Sequence, residues 1–82
     1  MNKSKQQIID DGRFAQRLMK DEDFTRFLSE VESEIFDAFC SSSAGDTQQR
    51  ELLYAQKTGV DMVRSRLQAL ADNATLEEKG KK

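Results

Sequence analysis

Glu30 and Glu34 stand one helical turn apart, with Asp37 close to Glu34. Paired carboxylates can share a proton or hold a divalent cation, so they are where acid–base or metal chemistry would begin. The helical di-iron pattern needs Glu-x-x-His, and the chain has no His. A carboxylate-only Mg²⁺ site usually leans on a substrate phosphate as well. The four glycines, at 12, 45, 59 and 80, are isolated and build no phosphate loop. Without His there is no Ser-His-Asp or Cys-His nucleophile pair. The single cysteine excludes a disulfide framework within one chain. No basic residue lies near Cys40 in sequence to activate its thiol, so it is expected to pack as a small inert side chain. No catalytic, cofactor-binding or metal-ligating residue is assigned. The chain is expected to be non-enzymatic, with no cofactor and no small-molecule substrate.

The elements that carry these residues are helical. The chain has 82 residues, 34% charged and 37% hydrophobic, with no Pro and no Trp. That is one domain at most, of a size at which a single core supplies no more than about 3–5 kcal/mol. Stability then calls for long, well-matched helices or association between copies. No apolar run approaches the roughly 20 residues of a membrane span, and the start is not that of a secretory signal. A cytoplasmic protein with no membrane partner is expected.

Residues 1–4 read as a flexible start. Ser4 with Gln7 forms a capping box, predicting a short helix over 5–19 that either breaks or continues at Gly12. Asp21 and Asp23 are good N-caps and their charge suits a helix N-terminus, predicting a second helix over 22–39. Its apolar stripe is Phe24, Leu28, Val31, Ile35 and Ala38, widened by Phe27, Phe36 and Phe39. The small polar stretch 40–46 is a loop, with Gly45 able to take a positive φ. Asp46 with Gln49 caps a third helix over 47–72. There Leu53, Gln56, Val60, Val63, Leu67, Leu70 and Ala74 form a heptad seam of coiled-coil type, with Leu52 and Tyr54 flanking its start. Gly59 interrupts this helix either as a solvent position or as the point where another helix comes close. Residues 73–82 read as a charged flexible tail. The Asn73-Ala-Thr75 triplet matches a glycosylation acceptor by chance, since no secretory signal accompanies it.

The expected fold is all-α: a single domain over 5–72, an antiparallel helical hairpin with a short N-terminal helix folded over one end, and an oligomeric bundle. The 26-residue third helix would reach about 39 Å and leave apolar surface uncovered. The expected interface residues are Leu53, Val60, Val63, Leu67 and Leu70, opposed by Phe24, Phe27, Leu28, Val31 and Ile35.

The formal charge of −2 is unevenly spread. Residues 21–37 hold seven acids against Arg26, a local −6, while the third helix is weakly basic. Acidic beside basic favours the antiparallel pairing, though exposed pairs contribute only about 0–1 kcal/mol each. The same helix offers an acidic face, Glu30, Glu32, Glu34 and Asp37, to a basic partner. Arg50, Lys57 and Arg64 line up at seven-residue spacing, with Arg66 nearby. Even so, nucleic acid is not an expected partner of an acidic chain without interleaved aromatic and basic residues.

The order Ala15-Gln-Arg-Leu18-Met19, Asp21-Glu-Asp-Phe24, amphipathic helix, small polar loop, Arg50 and Leu67-Gln-Ala-Leu70 resembles small helical-hairpin proteins of tailed phages and prophages, from the head and portal gene region. The resemblance covers roughly residues 14–72. It implies a phage-encoded accessory protein of virion structure or assembly. Such a protein acts through helix packing on itself or a larger assembly, in the host cytoplasm or the virion. The alternative is a small phage-type regulator or inhibitor that binds a basic host protein through residues 22–37.

Overall fold

The computed structural model describes residues 3–80. The protein is all-α, 88% helical, with no strand among the described residues. Three helices follow one another: α1 (Lys5–Lys20), α2 (Glu22–Ser41) and α3 (Thr47–Lys79).

Each helix starts on a side-chain cap. Ser4 Oγ accepts from the Gln7 backbone N–H at 3.1 Å, Asp21 Oδ1 from Phe24 at 2.9 Å, and Asp46 Oδ1 from Gln49 at 3.0 Å. These bonds satisfy amides that the first turn of a helix leaves free. Asp21 has extended backbone angles. It ends α1 and begins α2, so the break between them is one residue wide. Gly12 does not break α1. The loop between α2 and α3 is shorter than the 40–46 stretch expected, because Cys40 and Ser41 complete α2. Gly45 does not use the positive φ open to it. Cys40, in the last turn of α2, is exposed rather than packed.

The largest departure is at the C-terminal end. The loose tail expected from residue 73 is helix up to Lys79, closed by a Gly80 N–H to Leu76 carbonyl bond of 2.9 Å. The reason is tertiary. Ala71 and Ala74 are buried, Ala74 to 1% exposure, and Ala74 lies against Gly12 of α1, where Ile9 and Ala15 are buried too. Lys5 and Glu77 approach to 3.8 Å at the edge of this contact. Residues 81–82 of the expected tail, and residues 1–2 of the expected loose start, lie outside the described residues.

The 33 residues of α3 make a rod of about 50 Å at the α-helical rise. Contacts to it run in reverse order along the other two helices. Lys5 lies by Glu77, Gly12 by Ala74 and Leu70, and Met19 by Leu67. Beyond Asp21 the series continues, with Leu28 by Leu67, Glu32 by Arg64 and Phe39 by Arg50. So α1 does not fold back over a pair of longer helices, as expected. Its contacts fall on the C-terminal part of α3, and those of α2 on the part before it. The overall extents are 58 × 29 × 16 Å.

Candidate interaction surface

The two halves of α3 differ in how closely they are packed. On the α1 side the residues are small and the backbones come close. A Cβ at Gly12 would overlap the Ala74 Cβ and lie 2.8 Å from the Leu70 carbonyl oxygen. Only glycine allows this approach. On the α2 side the contact is looser, and a cleft of about 500 Å³ opens between the helices. Its walls are Val31, Ile35 and Ala38 from α2 and Gly59, Val60 and Val63 from α3. A second opening of about 310 Å³ lies among Ile35, Phe36, Phe39, Leu53 and Tyr54.

The heptad seam is therefore divided. Leu67, Ala71 and Ala74 are buried, Leu70 is half-buried, and Val63 is 46% exposed. Of the remaining expected interface residues, Leu28 and Leu53 are buried, while Phe24, Val31, Ile35 and Val60 are half-buried. Phe27 is 59% exposed. Phe36 and Tyr54, 65% and 71% exposed, were legible only as the margins of their stripes, yet they are among the most exposed large apolar side chains. The apolar arc of α2 is wider than α3 alone covers, which leaves Phe27 open on one side and Phe36 on the other.

The charged residues do not act as one face. Glu32 turns inward and accepts a 2.6 Å bond from Arg64 Nη2, the ion pair that ties α2 to α3. Arg64 Nε is buried without a hydrogen-bond partner among the described residues. Glu34 lines the cleft, and Glu30 and Asp37 are exposed. None of these last three makes an ion pair among the described residues. The row of cations on α3 is engaged within the chain. Arg50 stacks over the Phe39 ring at 4.8 Å and donates from Nε to Ser42 Oγ at 3.2 Å. Lys57 donates to Asp61 at 2.9 Å, and that hydrogen bond and charge raise the Lys57 pKa above its ordinary value. Arg66 is exposed and has no ion-pair partner among the described residues.

Among the described residues no cluster of His, Cys, Asp or Glu could hold a metal ion, and no helix is long and apolar enough to cross a membrane. Comparison with protein families, curated proteins and solved structures finds no match to this chain.

Proposed function

We propose that this is a non-enzymatic interaction protein, an antiparallel hairpin of α1–α2 against α3 that works by packing its α2–α3 half against protein. The observation that carries this reading is the apolar surface left open there, a cleft on one side and Phe36, Phe39 and Tyr54 on the other. Monomeric proteins rarely leave contiguous apolar patches of this kind without a binding role. The chain assembles with itself, docks on a larger assembly, or does both. With the resemblance to small phage head-region proteins, the fitting role is an accessory component of virion structure or assembly, located in the host cytoplasm or the particle. Replacing Phe27 and Phe36 together by Ser tests the packing role. Helicity should hold, because both side chains are outside the core, and the mass in solution should fall. A double variant that assembles like the parent chain contradicts the reading.

A second reading is favoured by Glu30, Glu34 and Asp37, which carry charge on α2 outside any ion pair among the described residues. In it, a regulator or inhibitor grips a basic host protein. Binding would weaken as salt rises, because exposed charges are screened over about 8–10 Å at physiological ionic strength. Reversing these three residues to Lys, and sparing Glu32 for its bond to Arg64, should abolish binding with the fold intact. Binding that survives the reversal rules this reading out.

A further inference from the structure

We propose that the α2–α3 cleft is closed by the same cleft of a second copy. The two copies are related by a two-fold axis running along the helices, so that α2 of each lies on α3 of the other and four helices enclose one core. This rests on the reading of the α2–α3 surface as an assembly interface, and adds the occupant and its orientation.

Gly59 supplies the first argument. It lies inside α3 on the cleft wall, and nothing comes within 4 Å of where its Cβ would be. A helical glycine weakens its helix, and nothing within one copy makes use of the missing side chain at this exposed position. Gly12 shows what a helical glycine does in this chain, which is to admit a second helix at backbone distance. Gly59 offers the same opening to α2 of the partner copy.

Surface area supplies the second. The chain exposes 6455 Å² at a mass of 9.4 kDa. A compact monomer of that mass exposes about 5,000 Å². The excess is larger than the ~800 Å² that each partner buries in an interface of standard size. The radius of gyration, 17.2 Å, likewise exceeds the ~12 Å of a compact chain of this length.

Charge selects the axis. An end-over-end rotation would set acidic α2 on acidic α2. Rotation about the long axis sets α2 on α3 and keeps equivalent residues at the same height. Leu28 shares a pocket with Leu67, and Glu32 pairs with Arg64, so Glu30 stands level with Arg66. Glu30 is one turn before the cleft residue Glu34, and Arg66 is two turns after the cleft residue Gly59. Both therefore border the cleft, and both lack an ion-pair partner among the described residues. The rotation brings Glu30 of each copy to Arg66 of the other, twice per dimer, as an isologous interface requires.

Sedimentation equilibrium of the full chain and its variants tests this. The parent chain should be a dimer. Gly59→Leu should raise the dimer dissociation constant about 100-fold through steric exclusion while monomer helicity holds, because its Cβ meets open space within one copy. Gly59→Ala, which strengthens the helix, should still weaken the dimer. Arg66→Glu and Glu30→Lys should each raise the dissociation constant about tenfold, and the double variant should recover most of the loss. A parent chain that stays monomeric overturns the proposal. So does a Gly59→Leu dimer as tight as the parent's, or a double charge variant no tighter than the weaker single. If Phe27 and Phe36 matter to assembly but Gly59 does not, this arrangement fails while the assembly reading stands.

Discussion

Val63→Asp is expected to lower the mass of the protein in solution to that of one chain and to leave its helicity unchanged. Val63 sits on the cleft wall and is 46% exposed in a single copy, so a carboxylate there remains hydrated in the monomer. In the assembled state it would be enclosed in a cleft that already holds the Glu34 carboxylate and is lined by no cation. An uncompensated buried charge costs about 3–5 kcal/mol, or more than 100-fold in the dissociation constant. Circular dichroism and light scattering on one sample separate the two effects. A variant that keeps the parent's mass and helicity would remove Val63 from any interface, and a variant that unfolds would place it in the core of the single chain.

The second large effect falls at the other end of α3. At an open helical position, Gly→Ala gains about 1 kcal/mol of helix propensity. Gly12→Ala should instead destabilise by about 2 kcal/mol, because the new methyl overlaps Ala74 and presses on the Leu70 carbonyl. For a domain of this size that is a fall of roughly 8–16 °C in Tm. Thermal unfolding should be followed at one fixed protein concentration, since any association would add to apparent stability. A rise in Tm would mean that α1 does not pack on α3 at Gly12. Lengthening the side chain further, as in Gly12→Leu, should detach α1 and fray α3 beyond Leu70.

The same contact explains what the sequence conceals. The helix starts are written locally, in Ser4, Asp21 and Asp46, and each of these caps its helix. The stripe of α2 is also local, because Phe24, Leu28, Val31 and Ile35 recur at helical spacing. The end of α3 is not. After Leu70 the helix has only Ala71 and Ala74 to bury, and small residues carry little signal by themselves. Their meaning depends on Gly12 and Ala15, some 60 residues earlier, which make close approach possible. Gly12 by itself reads equally as a break or as a glycine the helix runs through, and the Asn73–Lys82 stretch reads as a tail. For the same reason the position of α1 is hidden: only a longer α3 gives it something to cover.

The candidate surface is legible in composition but not in its division. The seam from Leu53 to Ala74 is continuous in sequence, yet its C-terminal part is buried by α1 and its middle is left open. Nothing in the spacing separates Val63 from Leu67. The acidic face divides in a comparable way, because Glu32 differs from Glu30 and Glu34 only in pointing toward Arg64. Gly59 and Gly12 look alike as isolated helical glycines. Their surroundings, one empty and one filled, distinguish them.

The central claim is that this chain completes its core with protein outside itself, and first of all with a second copy. Light scattering across a concentration series, with helicity recorded on the same samples, measures this directly. The expected result is a mass approaching twice 9.4 kDa as concentration rises. A fully helical protein that holds the mass of one chain at every concentration would contradict it.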